Sequence, residues 1–476
     1  MNTRWKLSFL AVSLIFLATI SCFHISILHW AISNNVIAVN QLRFIPLINE
    51  QTFHQFQYQY SQDNSSAWLY SRAFLAKKDG KIAYGLAQYY QSISQERDAI
   101  LWYQQALTLG NTNALKPLAY HYYDKGEWDK ALTLAHKEKN KFWAQQLIVT
   151  IAVIEGKLSK VEAIAAQLET TKQGKLLLDN LQGYQIIAST PRDESQLNVN
   201  CLSVQLFGST LIDLTHASNL IAALETSDLG QYFCMPTPRY ISKQKLQCKH
   251  LAKQPIACNE AVWHKLKNTP QSQYLGVIVP NGGANVHSGI LYLDRQDNID
   301  VFKHELLHFL GFIDEYPLPA GHNFCQQVHE KATAHNLVTF KALYKGERKR
   351  IREKILARIP WRNLIKPSTP ILSGANTKWK VGTPLNYKND IGVFASATCQ
   401  NSELLAVKPL SRDTSLTYFE LPLPTLYKDF LAKNKRKYIM PSFHYNVAAA
   451  LAKEGDKFNA QQWIISAEKF NSFYYD

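Results

Sequence analysis

The sequence predicts a multi-domain chain: an N-terminal transmembrane helix, an all-α domain of helical repeats, and a C-terminal domain mixing helices and strands in an α/β or α+β arrangement. Three observations predict it. Residues 7–28 form an almost unbroken apolar run, residues between Trp68 and about Gln185 repeat a helical pattern, and beyond about residue 196 the texture changes to short alternating runs. A length of 476 residues requires two or three folded units, and 46% apolar with 19% charged residues excludes a disordered chain. With 20 Gly, 18 Pro and no biased tract, collagen-like, linker-like and prion-like chains are excluded as well. A formal charge of +15 favours anionic surroundings without naming them.

The run from Leu7 to Leu28 follows Arg4 and Lys6 and is long enough, at about 1.5 Å per residue, to cross a bilayer with its N-terminus inside. A cleaved signal peptide would carry a shorter apolar core and a small-x-small site. Residues 1–30 are therefore expected to be an uncleaved anchor, followed by a linker over residues 31–65. The alternatives are secretion or a lipoprotein acylated at Cys22, a motif that Thr19 and Ile20 fit poorly. The other cysteines, Cys201, Cys234, Cys248, Cys258, Cys325 and Cys399, all lie in the second half without a CxxC pair. An even number confined to one domain predicts disulfides in an oxidising compartment, with the pairing open.

Within residues 66–188, Leu86-Ala87 recurs 32 residues later as Leu118-Ala119, each followed by a Tyr-Tyr pair. Ala99 and Trp102 find Ala131 and Leu134 at the same interval, and Gly126 of KGEWDKAL is echoed by Gly156 of EGKLSKVE. A helix pair that cannot bury its apolar face alone needs such a neighbour. The stretch resembles tetratricopeptide or Sel1-like repeats, which implies either a groove for a protein partner or a spacer. The segment Ala188 to Ser195 (ASTPRDES) has linker composition. The next domain, 196–476, shows expected strands at Leu202–Phe207, Gln231–Tyr240, Leu275–Pro280 and Ile290–Asp294, and a helix at His216–Glu225.

The chemistry is concentrated in IDVFKHELLHFLGFIDEY. A helix there places His304 and His308 one turn apart on one face, as two ligands of a tetrahedral zinc require, with Asp300 as the expected N-cap. Glu305, beside the first histidine, is the expected general base for a zinc-activated water. Gly311 lets the chain leave the helix through a left-handed turn.

Together with Asp314 the segment reads HExxHxxGxxD, which resembles the extended zinc motif of the metzincin peptidases with Asp in place of the usual third His. The resemblance implies one zinc held by His304, His308 and Asp314, with Glu315 as the competing third ligand. It also implies a methionine turn, for which Met440 of KYIMPSFHY is placed, and a transition-state stabiliser after it, Tyr445 or His444. The Asp314-Glu315-Tyr316 ending and the later IGVFASATCQ look like the bacterial IgA-peptidase family of metallopeptidases, over residues 200 to 445. GGANVHSGILYLD corresponds to the strand whose edge pairs with an extended peptide in metzincins. A gluzincin would instead take Glu330, though without an NExxS context, and a metal-free site would leave both histidines packed against Phe302 or Phe309.

His287, His322 and His444 fit surface or core roles better than ligation. The basic run from Lys341 to Arg358 is expected to be a solvated helix face rather than a surface for lipid or acidic substrate. No phosphate loop, Rossmann fingerprint or aromatic-interleaved basic sheet is present, so nucleotide and nucleic-acid partners are not expected. The expectation is a zinc metallopeptidase anchored in the bacterial inner membrane, with the bulk of the chain periplasmic, hydrolysing peptide bonds with Glu305 as general base. The rival is a helical-repeat scaffold that binds a protein partner and carries a structural or degenerate metal site.

Overall fold

A computed structural model describes residues 25–475 except 47, 189–200, 250–254, 267–270 and 435. Most of the expected anchor, residues 1–24, and the expected linker beyond Ala188 lie outside the described residues. Among the described residues, no helix is long and apolar enough to cross a membrane. Packing divides the chain into two compact units, Met1–Ile148 and Val149–Asp476.

The first unit is helical: α1 (Glu50–Tyr60), α2 (Ser66–Ala76), α3 (Gly80–Ser92), α4 (Glu96–Thr108), α5 (Leu115–Asp124) and α6 (Trp128–His136). Polar side chains start several of them. Asn49 Oδ1 accepts from Thr52 N–H at 2.8 Å, and Asp79 Oδ1 from Lys81 and Ile82 N–H at 2.8 and 3.1 Å. Alanines at the contacts, Ala83, Ala87, Ala106, Ala119 and Ala135, let the helices approach closely. The residues 32 apart that carry the repeat, Leu86 with Leu118 and Ala99 with Ala131, are all buried. The period therefore marks positions that face the core.

Helix α7 (Phe142–Glu155) straddles the division, and α8 (Leu158–Leu168) and α9 (Lys172–Gly183) belong to the second unit. Hydrogen bonds explain why. Tyr240 Oη donates to Val153 O at 2.8 Å, Tyr240 N–H donates to Tyr184 O at 2.9 Å, and Tyr184 Oη pairs with Ser218 Oγ at 3.2 Å. The last helices of the repeat pattern thus fold as part of the sheet-bearing unit.

That unit continues through β1 (Leu202–Gly208), α10 (Leu211–Glu225), β2 (Phe233–Cys234), β3 (Arg239–Tyr240), β4 (Tyr274–Val279), β5 (Asn285–His287), β6 (Ile290–Asp294) and α11 (Ile299–Phe309). The main sheet runs β2-β1-β4-β6-β5, with β3 also on β1. All pairings are parallel except β5 with β6, which is antiparallel and leaves β5 at the edge. The single strand expected over Gln231–Tyr240 is two short ones, because Pro236 and Pro238 remove ladder donors between them. Strands β1, β4 and β6 are buried on both faces. Leu206, Ile278 and Leu291 join one core with Phe302 and Phe309 of α11, whereas Phe207, Val277 and Tyr292 join a second core with Trp263 and Phe443.

The rest comprises β7 (Val338–Lys341), β8 (Leu343–Lys345), α12 (Arg348–Leu356), β9 (Leu372–Ala375), β10 (Lys378–Val381), β11 (Phe394–Ser396), β12 (Leu404–Lys408), α13 (Thr425–Asn434), α14 (Phe443–Lys453) and α15 (Lys457–Tyr475). Its strands form two three-stranded antiparallel sheets, β8-β10-β9 and β11-β12-β7. The basic run spans β8 and α12, where Ile351 and Ile355 are buried and most of the charges face solvent. The six cysteines of this unit stand at disulfide distance as Cys201–Cys234, Cys248–Cys258 and Cys325–Cys399, with Cα separations of 5.5, 3.8 and 5.5 Å.

Candidate metal centre

Helix α11 is capped by Asn298, not Asp300. Asn298 Oδ1 accepts from Asp300 and Val301 N–H at 2.9 and 3.1 Å, while Asp300 sits in the first turn and pairs with Lys303 at 2.8 Å. An amide and a carboxylate are equally good caps, and the two-residue offset is below what sequence resolves. Phe302, Leu306 and Phe309 bury one stripe of the helix. His304, Glu305 and His308 are left on another face, and one ligand-type atom from each lies within 4.8 Å of the other two.

Leu310 ends the helix and Gly311 turns it at φ +82°, where an added Cβ would collide with the backbone of Tyr438. The turn returns Asp314 to the two imidazoles. Its Oδ1 lies 3.0 Å from His304 Nε2 and 3.4 Å from His308 Nε2, nearer than Glu305 Oε2, which is 3.9 Å from His308 Nε2. Adjacent ligand atoms of a tetrahedral zinc with bonds of about 2.0–2.1 Å stand roughly 3.3 Å apart, so this set has the right scale.

Two further observations test the fit. His304 Nδ1 meets Ser415 O at 2.8 Å and His308 Nδ1 meets Phe312 O at 3.1 Å. A carbonyl only accepts, so each Nδ1 carries the proton and each neutral ring presents its Nε2 lone pair. Asp314 Oδ1 is buried and, despite its closeness to both rings, no donor points at it with hydrogen-bond geometry. Two imidazole lone pairs and an orphaned carboxylate oxygen thus converge, a donor set that suits zinc.

Burial pulls the His304 imidazole down, but the Asp314 carboxylate outweighs it and the net direction is up. Burial raises Glu305, only partly offset by His308 and His304. Asp314 ends below the usual carboxylate range because the two histidines outweigh its burial.

Glu315 points the other way. Its Oε2 accepts from Lys408 Nζ at 2.8 Å and Thr414 Oγ1 at 2.9 Å, and its Oε1 from Tyr427 Oη at 2.5 Å and Asn336 Nδ2 at 3.1 Å. Every acceptor direction is used, which leaves Asp314 as the carboxylate that faces the histidines. Next in the chain is Tyr316, whose ring lies nearly parallel to that of His304, with centroids 6.3 Å apart. Partial enclosure of the ring and the neighbouring Asp314 carboxylate push the Tyr316 phenol well up. Sequence reasoning quoted Tyr316 for its resemblance alone and missed both its position and the Lys408 partner of Glu315, which is 93 residues away.

Met440 packs against the α11 core; its N–H donates to Phe309 O at 3.1 Å and its carbonyl accepts from Tyr274 Oη at 2.5 Å. The backbone at Met440 is thereby tied to the end of the histidine helix and to β4. Glu330 is exposed on a bend and not on a helix, which removes the arrangement a gluzincin needs. His287 Nδ1 pairs with Glu260 at 2.8 Å, and His322 is exposed and caps a short 3₁₀ turn. Tyr445 is half-buried in the first turn of α14. A cavity of about 200 Å³ lined by Leu318, Gln326 and Asn401 adjoins the Cys325–Cys399 pair and includes none of His304, Glu305, His308 and Asp314.

His444 is enclosed by the rings of Phe443, Trp463 and Phe470, and burial drives its imidazole down to about 4. The unfolded chain takes up that proton as pH falls through the ordinary 6.5, whereas the folded chain does not until about 4. The stabilisation, roughly 3 kcal/mol, is therefore complete above pH 6.5 and is lost on acidification towards 4. His444→Phe is expected to flatten the fall in melting temperature between pH 7 and pH 4.5; an unchanged slope would assign the acid lability elsewhere.

In comparisons with known proteins, no family model matches the chain and no curated protein is significantly similar to it.

Proposed function

We propose that the chain is a zinc-dependent endopeptidase with a metzincin-like catalytic domain, similar to the bacterial IgA-peptidase family, whose metal is held by His304, His308 and Asp314. The observation that carries this reading is the buried, donorless Asp314 Oδ1 facing two imidazoles whose Nδ1 atoms are tied to carbonyls. Zinc bound there would supply Lewis acidity and a water acidified towards neutral pH. Glu305, on the same helix, takes the proton of the attacking water and returns it to the leaving amine. The exposed edge of β5 offers backbone groups to an extended peptide. Three cysteine pairs support an extracytoplasmic location, with residues 1–30 as the anchor.

Elemental analysis of the full chain tests the reading. One zinc per chain is expected for the wild type, none for His308→Ala or Asp314→Ala, and one for Glu305→Gln, which should lose hydrolysis of casein entirely. Circular dichroism unchanged after chelation would separate a catalytic metal from one that holds the fold. A wild-type chain without zinc even after supplementation would sink the proposal.

A further inference from the structure

We infer that Tyr316 is a catalytic residue whose phenolic O–H donates a hydrogen bond to the oxyanion formed when a peptide carbonyl is attacked at this centre. The inference rests on the peptidase reading and adds to it a donor supplied by the chain itself.

Three observations place the phenol there. Around the bend at Glu315 and Tyr316, Glu315 enters the core network while Asp314 and Tyr316 both lie beside His304. The Tyr316 ring lies at 17° to the His304 ring, with centroids 6.3 Å apart, and its phenol neighbours the Asp314 carboxylate. Tyr316 is nonetheless 39% exposed, whereas His304 beside it is buried. The ring therefore borders His304 and Asp314 and still meets solvent, where a substrate would lie.

The segment is also held on both sides. Glu315 N–H donates to Leu416 O at 2.9 Å, Ser396 Oγ donates to Glu315 O at 3.1 Å, and Leu318 N–H donates to Thr398 O at 2.9 Å. A donor mounted on so fixed a backbone needs little reorganisation when charge develops before it. Of the two donors expected after Met440, His444 is enclosed by rings and Tyr445 is half-buried in the first turn of α14.

The chemistry balances without a co-reactant. The water oxygen bonds to the carbonyl carbon as Glu305 removes its proton, and the carbonyl π pair moves to oxygen. That pair returns as the C–N bond breaks, and Glu305 gives the proton to the leaving nitrogen. Tyr316 keeps its own proton throughout. In the resting site the phenol neighbours Asp314, a weakly basic carboxylate whose charge is spread over two oxygens; the oxyanion concentrates its charge on one more basic oxygen and is the stronger acceptor, which is the differential binding that accelerates a reaction.

Tyr316→Phe in the full chain tests this, read by zinc content, casein hydrolysis and affinity for a peptide phosphonate that mimics the tetrahedral anion. The expected result is one zinc per chain, KM unchanged, kcat lower by roughly 10²-fold and phosphonate affinity lower by about the same factor. A kcat and phosphonate affinity equal to wild type overturn the inference and leave the peptidase reading standing. Loss of zinc in the variant also overturns it, because Tyr316 would then be a positioning residue for Asp314. A wild-type chain that holds zinc but neither cleaves casein nor binds the phosphonate overturns the peptidase reading, and this assignment with it.

Discussion

Glu315→Ala is expected to lower the unfolding free energy by about 3–5 kcal/mol, the range found when one partner of a buried ion pair is removed. Lys408 is 5% exposed, and its ammonium donates to Glu315 and to the carbonyl of Arg412. Removing the carboxylate strands that charge, and the hydroxyls of Thr414 and Tyr427 lose their acceptor as well. Denaturant unfolding followed by tryptophan fluorescence measures the loss. Because Glu315 does not face the histidines, the folded fraction of the variant should keep its zinc; a stable variant that has lost the metal would reverse the roles of Glu315 and Asp314.

Gly311→Ala is expected to weaken zinc binding about 10–100-fold and to cost about 3 kcal/mol of stability, more than an exposed glycine substitution would. The residue sits at φ +82° with the Tyr438 backbone against the place a methyl would fill. Its carbonyl also accepts from His335 N–H at 3.0 Å, so the turn cannot shift freely to make room. Three residues later the chain must deliver Asp314 to within 3.0 and 3.4 Å of two ring nitrogens. Chelator competition against wild type reads the first effect and thermal melting the second. Equal zinc affinity would mean that Asp314 reaches the site by a route independent of this turn.

The parts of the fold legible in the sequence are those governed by short-range patterns. Ile290–Asp294 is the strand expected, residue for residue, because it is a continuous apolar run between turns. The helix bearing His304 and His308 forms where the spacing placed it, and of the repeat positions Leu86, Leu118, Ala99 and Ala131 are buried while Trp102 and the tyrosine pairs are only partly so. Contacts that span the chain were not legible. Nothing local in Glu315 tells that Lys408 and Tyr427 will fold onto it, so it read as a second ligand candidate beside Asp314. Tyr240 binding to the carbonyl of Val153 is likewise a long-range contact, and it is what draws the last helices of the repeat pattern into the sheet-bearing unit. His444 read as a candidate donor because its rings come from α15, well beyond the local sequence.

The Cys325–Cys399 pair ties the segment after Tyr316 to the stretch that carries Thr398, whose hydroxyl donates to Asp314 O at 2.8 Å. It also encloses the longest loop of the three pairs, 74 residues against 33 and 10. In the chain-entropy account, a loop of that length removes about 4.5 kcal/mol worth of freedom from the unfolded ensemble, against roughly 2.7 for the shortest. The bond that limits how far the denatured chain can wander is thus the same one that braces the carboxylate facing the two histidines. Thiol reductants, by opening it, would widen the unfolded state and slacken the metal centre in one chemical step.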